Sequence, residues 1–441
     1  MKKYNSISLM VVIVWLLLSV NLSAQQEWSL RDCIDYARSE NIQVKKAQIS
    51  VESSDVDIKQ SKAALFPSLS AGVSQNFSNS KKDDGNGNYK YDAVFNGQYS
   101  LNASWTIFNG KKNLYNIKQA QLQKESGELN TQEIQNNIEI SITQTYLQIL
   151  YARESIKNNE NIVESSAAQL KQTQDFLDAG SITRSEYAQV EAQYSSDRYN
   201  LVLAQNSFDN YKLQLKQLLE LDYGADLELE FPEISDAEVL TPIPAKYDIY
   251  QTALSIMPQI KNSQVGIDLA NIGKSSAKAG YLPTLSATGS LGTGNIYDQS
   301  PSFATQLNRN FAQSIGLSIS IPIFDNRTNK SNVQRAELAI QTARLNLLDS
   351  QKDLLNTIEG LYLDAVSGQS KFNAAKDKLN SAELSYTLVK EQYNLGMRNT
   401  VELTTEQNNY ANAMQELIQA KYTALLSLKL LNFYQGQEIT L

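Results

Sequence analysis

Between Phe95 and Phe108 the odd positions carry Phe95, Gly97, Tyr99, Leu101, Ala103, Trp105 and Ile107, while the even ones before Phe108 carry Asn96, Gln98, Ser100, Asn102, Ser104 and Thr106. Strict alternation of this kind predicts a β-strand with one apolar and one small polar face. Phe311 to Phe324 behaves alike, with Phe311, Ile315, Leu317, Ile319, Ile321 and Ile323 opposed to Ala312, Ser314, Gly316, Ser318 and Ser320. Weaker alternation from Pro67 to Phe77 and from Pro283 to Leu291 predicts a partner strand ahead of each. The outcome is two hairpins, at about 66–108 and 283–324. Such strands suit an outer-membrane barrel, apolar side to lipid and polar side to a water-filled lumen, although a half-buried soluble sheet alternates in the same way. Lipid tolerates no open sheet edge, and four strands fall short of the roughly eight that close a barrel. A membrane reading therefore makes several subunits share one barrel.

Beyond Phe108-Asn109-Gly110 the period changes. The chain runs to Ala179 without proline and with a single internal glycine, and apolar residues fall at helical intervals, such as Ile134, Ile138, Ile142, Tyr146 and Ile149. Asn326 to Leu395 is similar; there Leu347, Leu354 and Leu361 repeat every seven residues beside Leu348, Leu355 and Tyr362, the pattern of a coiled-coil seam. About seventy residues of helix extend roughly 100 Å, more than a compact domain needs. Shorter flanking helices at about 27–65 and 184–222 are expected to stack in pairs alongside the long one. The pattern fits a helical cylinder continuous with a barrel. A fibrous or adhesive coiled coil is the alternative, in which membrane hairpins have no place.

The two hairpins are copies. Ala63-Ala64-Leu65-Phe66-Pro67-Ser68-Leu69-Ser70-Ala71 recurs as Ala279-Gly280-Tyr281-Leu282-Pro283-Thr284-Leu285-Ser286-Ala287, an offset of 283 − 67 = 216. Leu101 to Asn109 matches Leu317 to Asp325 at the same offset, and Gly180 matches Gly396. One ungapped offset over more than a hundred residues marks a tandem duplication. A first repeat at 25–231 and a second at 247–441 are joined by an acidic, proline-bearing linker, 232–246. Each repeat reads helix, strand, loop, strand, very long helix, turn, helix.

Lys2 and Lys3, then apolar Ile7 to Val20, then Ser23 and Ala24, predict a secretory signal peptide, residues 1–24. No later run of 18 apolar residues exists, so any membrane span must be made of strands. Charged residues make up 20% of the 441 and hydrophobic ones 42%, too polar for a helical membrane protein. The net charge of −8 argues against a nucleic-acid partner. With no histidine and one cysteine, histidine acid/base chemistry, zinc sites of histidine or cysteine and intramolecular disulfides are excluded. Cys33 follows Leu30-Arg31-Asp32, which is no lipidation signal, and reads as a packing residue. The loop Lys81-Lys82-Asp83-Asp84-Gly85-Asn86-Gly87-Asn88 lacks the glycine and glutamate that a calcium loop needs and reads as a solvated hairpin tip. Without a phosphate loop, metal-ligand cluster or nucleophile elbow, neither an enzyme nor a cofactor is expected.

With hairpins, long helices and duplication in place, the chain resembles the TolC family of outer-membrane efflux proteins over essentially all of its length beyond the signal peptide. The likeness is carried by the proline-led strand starts and by the junctions Trp105-Thr106-Ile107-Phe108-Asn109-Gly110 and Ile321-Pro322-Ile323-Phe324-Asp325-Asn326. It is carried also by the turns Ala179-Gly180-Ser181-Ile182-Thr183 and Tyr393-Asn394-Leu395-Gly396-Met397-Arg398. The resemblance implies a mainly α fold with a membrane β-barrel: a homotrimer sharing one twelve-stranded barrel, four strands per chain, continued by a coiled-coil tunnel in the periplasm. It implies a passive exit duct for efflux or type I secretion, with outer-membrane lipid around the barrel, a periplasmic adaptor protein docked at the tunnel tip and an inner-membrane pump behind it. A non-conducting assembly or adhesion scaffold is the competing function. The resemblance further implies a periplasmic gate at Glu186, Tyr393, Arg398 and Glu402, and adaptor docking at the helix turns Gly180, Ser181, Ile182, Thr183, Gly396, Met397 and Asn399. Glu186 and Glu402 stand where the family's best-known member has aspartates and Thr405 where it has a further acidic residue, which thins the acidic ring.

Overall fold

The computed structural model describes residues 27–83, 85–222 and 224–441; the expected signal peptide lies outside them. In chain order the elements are α1 (Leu30–Glu40), α2 (Ile42–Ala63), β1 (Ser68–Asp83), β2 (Tyr89–Asn109), α3 (Lys112–Asp178), α4 (Arg184–Leu218), α5 (Asp236–Val239), α6 (Lys246–Ile256), α7 (Pro258–Ala279), β3 (Thr284–Ile296), α8 (Phe303–Arg309), β4 (Ala312–Ser320), α9 (Thr328–Asn394) and α10 (Thr400–Tyr434). The duplication is exact in the length of its paired helices, while the strands differ. Helices α1 and α6 have 11 residues each, α2 and α7 have 22, α3 and α9 have 67, and α4 and α10 have 35. Among the described residues no helix is long and apolar enough to cross a membrane.

One compact unit comprises residues 47–130 and 258–350. Its centre is an antiparallel sheet of order β1-β2-β3-β4. The first hairpin outruns its alternation: β1 continues to Asp83 and β2 begins at Tyr89, tied by the Lys82–Asp92 ion pair at 2.7 Å and turned at Gly85 and Gly87, both at positive φ. A register shift between Thr106 and Phe108 leaves Ile107 unpaired, so Phe108 faces Leu285. That bulge is why two apolar residues stand side by side at the end of an alternating strand. The second hairpin departs from expectation at both ends. Its loop carries α8, which no alternation announced, and β4 stops at Ser320 although apolar alternation continues to Ile323. Pro322 lacks the N–H that a further ladder bond needs.

Both strand-to-helix junctions are built the same way. Gly110 and Lys111 adopt left-handed φ of 68° and 70°, and Asn326 and Arg327, each 216 later, adopt 51° and 69°. The Asn109 side chain accepts from the Asn113 N–H at 3.2 Å, as Asp325 accepts from Asn329 at 2.7 Å. Asn113 then donates to the Ala64 carbonyl at 3.4 Å and Asn329 to that of Gly280 at 2.8 Å. These bonds occupy orphan donors at the start of each long helix.

The other unit comprises the described residues up to Lys46, with 131–257 and 351–441. Its interior holds Ile34, Ile142, Tyr146, Leu215, Ile249, Ile358, Phe372, Leu403 and Leu431. The expected single helix over 27–65 is broken at Asn41, whose extended backbone separates α1 from α2. Its side chain accepts from the Gln43 N–H at 2.8 Å and donates to the Leu218 carbonyl at 3.0 Å, so the break is held from both sides. Met257, 216 later, breaks the second repeat with the same backbone, followed by a proline at the first helical position. The linker is a folded strap: α5 pairs Asp236 with Lys376, Gln369 donates to the Val239 and Thr241 carbonyls, and Lys246 pairs with Glu359. Tyr146 clamps the strap's beginning by donating to the Glu230 carbonyl at 2.6 Å.

Helix α9 does carry a heptad seam, but its two expected rows are unequally buried, with Leu347, Leu355, Leu361 and Tyr362 half-buried. Leu354 is buried, and its row runs on through Gly368 and Ala375, whereas Leu348 is exposed. The partner row is Ile358, Ala365, Phe372 and Leu379. A Cβ on Gly368 would stand 2.9 Å from the Cα of Ala424 in α10, whereas one on Gly360 meets nothing within 4 Å. Gly368→Ala therefore destabilises by about 1–3 kcal/mol through forced backbone shifts. Gly360→Ala stabilises by roughly 0.5–1 kcal/mol through helix propensity, and guanidinium unfolding reads both.

Candidate functional site

The sheet supplies the first functional surface. Its register aligns Leu69, Ala103 and Gly289 with Ile315, Ala71 and Leu101 with Leu291, and Leu285 with Ile319, so the apolar positions of all four strands share one face. That face is bare in the single chain: Ile315 is 95% exposed and Val73 72%. Each such side chain left in water forgoes about 1.5–3 kcal/mol of burial, and the unpaired outer edges of β1 and β4 leave backbone donors and acceptors without partners.

Exposed aromatic residues gather at both ends of the sheet. Phe77, Tyr89, Tyr91, Phe95, Tyr297 and Phe303 stand toward the hairpin tips, and Phe66, Trp105, Phe108, Tyr281 and Phe324 toward the helix junctions. Two girdles flanking an apolar band are the mark of a wall that meets two membrane–water interfaces. One polar cluster interrupts the band. Gln75 donates to the Tyr99 hydroxyl at 3.0 Å, which donates to Asn295 at 3.3 Å. Gly97 lies beneath; a Cβ there would meet Asn295 at 2.5 Å and Gln75 at 2.8 Å. Helix α8 roofs the cluster, with Phe303 edge-on to Tyr99, and is pinned by Gln306, which donates to the carbonyls of Ile296, Gln299 and Pro301.

The second surface is the pair of helix turns. Gly180 and Gly396 take left-handed φ of 69° and 72°. Around each, two backbone bonds at 2.9 Å close the preceding helix, Gly180 to Leu177 with Ser181 to Phe176, and Gly396 to Tyr393 with Met397 to Gln392. The following helix opens on a capping box. Glu186 accepts from the Thr183 N–H at 2.7 Å while Thr183 accepts from the Glu186 N–H at 3.3 Å, and Glu402 and Asn399 repeat the exchange at 3.2 and 2.9 Å. Arg398 donates to Glu402 at 3.0 Å and to Gln392 at 2.8 Å. The backbone N–H bonds, from Thr183 and Asn399 respectively, hold the Glu186 and Glu402 carboxyls below their ordinary range, and Arg398 adds to the second.

Of the residues singled out in the sequence, Glu186, Arg398 and Glu402 thus bond within their own turns. Tyr393 is buried, its ring 6.4 Å from Phe176 of the other hairpin and its hydroxyl without a hydrogen-bond partner. Ser181, Thr183 and Asn399 are exposed, Ile182 is half-buried, and Met397 is 64% exposed beside bare Leu395. A polar seam between the two hairpins escaped the sequence reading. Gln172 donates to Asn394, Gln193 and Asn408 exchange bonds at 3.0 and 3.1 Å, and buried Asp197 accepts from Gln193 and Gln407. Burial raises the Asp197 carboxyl pKa. Isolated polar residues on a long helix normally face solvent, so no local signal marks them as paired.

The outer membrane efflux protein family model matches residues 33–220 and again 249–437. The chain belongs to this family. It is 24% identical over 428 residues to outer membrane protein TolC of Escherichia coli, covering 95% of this chain and 84% of that protein. It is 23% identical over 300 residues to the alkaline protease secretion protein AprF of Pseudomonas aeruginosa, covering 67% and 61%. Its fold is that of the CusC channel, with a TM-score of 0.79 at 17% identity over 93% of each chain. As an outer membrane efflux protein it resides in the outer membrane, and the twofold match coincides with the tandem halves seen in the fold.

Removing either cap, by Thr183→Ala or Asn399→Ala, costs about 0.5–2 kcal/mol at that turn. The lowered carboxyls set the pH dependence: the contribution of Glu186 and Glu402 is present above the ordinary value of 4.5 and is lost as pH falls through their lower folded values. Limited proteolysis on acidification therefore cuts at the two turns first, and the capping variants are cut there already at neutral pH.

Proposed function

We propose that this chain is one of three identical subunits of an outer-membrane exit duct, in which the subunits' sheets close one twelve-stranded barrel and their helices form a periplasmic tunnel. The observation that carries it is a four-stranded sheet with a bare apolar face, two aromatic girdles and two open edges. Hydrocarbon around the barrel takes the apolar face, and neighbouring subunits take the edges, β4 of one against β1 of the next. The duct is passive and not an enzyme. A periplasmic adaptor protein docks at the turns around Gly180, Ser181, Ile182, Thr183, Gly396, Met397 and Asn399, where Leu395, Met397 and Val401 offer bare apolar side chains, and links the duct to an inner-membrane pump. The relatives' names favour efflux and protein secretion as its uses.

The closed state is held near the turns by Glu186, Tyr393, Arg398 and Glu402. Charge-assisted bonds from Arg398 to Glu402 and Gln392 fix the second turn, and Tyr393 wedges it against the first hairpin. A partner that binds the open arrangement better shifts the population toward it. In planar bilayers the refolded protein is expected to give small, closed-like conductance, and Arg398→Ser a conductance several-fold higher. An unchanged variant removes the gate and leaves the channel; no conductance from an assembled oligomer would replace the duct with a non-conducting scaffold.

A further inference from the structure

The polar face of the sheet is the lumen wall in the reading above, on which this inference rests. The register stacks its residues into rungs that cross all four strands, such as Ser70, Asn102, Ser290 and Ser314. Ser290 and Ser314 share a hydrogen bond at 2.8 Å across one of them. The other rungs of this face hold serine, threonine, asparagine, glutamine and glycine, with Val94, Ile296 and Ala312 toward the hairpin tips. The charged side chains of the four strands, Lys81, Lys82, Asp83, Lys90 and Asp92, all stand at the outer end of the first hairpin; Lys82, Lys90 and Asp92 are on the polar face, where Lys82 pairs with Asp92, and Lys81 and Asp83 are on the apolar face. At the opposite end charge resumes only past the strands, at Lys111, Asp325 and Arg327.

We propose that the barrel section of the duct is an electrically neutral, hydroxyl- and amide-lined passage that admits cationic, anionic and uncharged polar cargo alike. A fixed charge facing a confined aqueous channel raises the local concentration of its counter-ion and depresses that of ions of its own sign. Here the wall carries none between its two ends. Hydroxyl and amide groups both donate and accept, so they replace part of the hydration of any polar solute without favouring one sign. Selection by charge belongs to the helical part of the duct or to its partners, and the barrel is no filter.

A local probe of potential tests this in the assembled full-length protein. The single native cysteine, Cys33, is fully buried, so Ser290→Cys gives one reactive thiol on the wall. Its reaction rates with a cationic and an anionic methanethiosulfonate, each normalised to a small free thiol, are compared at low and high salt. The expected ratio stays within about threefold of one and changes little with salt, because no fixed charge is there to screen. A ratio beyond about tenfold at low salt that collapses at high salt would overturn the neutral wall while leaving the duct intact. Leu291→Cys, one residue along and on the lipid face, is expected to react with neither reagent. If Leu291→Cys reacts and Ser290→Cys does not, the face assignment itself fails, and the duct reading with it. Ser104→Cys, on the adjoining rung, repeats the measurement should Ser290→Cys disturb assembly.

Discussion

A peptide group in hydrocarbon has no water to bond, and this constraint organises the molecule. Within the sheet neighbouring strands are paired throughout their shared length save at the bulge of Ile107, but β1 and β4 each turn a row of N–H and C=O groups outward. An edge of nine residues or more cannot be left so in lipid, and nothing in the described chain covers it. A barrel assembled from identical sheets satisfies all of these groups at once. The long helices then have their place: they begin at the two sheet junctions, where left-handed residue pairs turn the backbone and Asn113 and Asn329 lock the turn to the preceding helix.

Duplication makes this economical to encode. Two halves with equal helix lengths present the sheet with two hairpins on one register, and the junctions, the helix breaks and the caps at the two helix turns recur 216 residues later. Where the halves differ, the difference is local and has a cause. Pro322 ends one ladder early, and α8 of the second hairpin roofs a polar cluster that Gln75, Tyr99 and Asn295 form on the apolar face. Gly97 remains without a side chain because Gln75, Tyr99 and Asn295 converge above it.

The helical hairpins follow a different economy from the sheet. Their interior is apolar along the heptad rows of α9, closing to backbone contact at Gly368, yet the seam between the two hairpins near the turns is largely neutral polar pairs. Such bonds exchange for water at a net cost of only about 0.5–1.5 kcal/mol each. Packing of this kind holds one arrangement without forbidding another, which suits the end of the molecule where movement is proposed, and it contrasts with a sheet that cannot yield a single bond to lipid.

Much of this was legible in the chain itself. Period-two alternation identified all four strands, the run from Gly110 to Ala179 without a proline announced a long helix, and the 216-residue offset declared the duplication, because local sterics and burial of a face act through near neighbours. The positions of Gly180 and Gly396 in tight turns followed for the same reason. Other features depend on residues distant in sequence. The capping of Glu186 by Thr183 has a local signature, but the burial of Tyr393 against Phe176, the pairing of Asp197 with Gln407 and the inward row through Ile358 depend on which hairpin lies alongside. Whether Asn41 continues a helix or breaks it is decided by the Leu218 carbonyl it reaches. Sequence periodicity determined the elements and the faces they would bury; only the tertiary structure decided which polar groups meet between them, since hydrogen bonds are specific to partners and apolar burial is not.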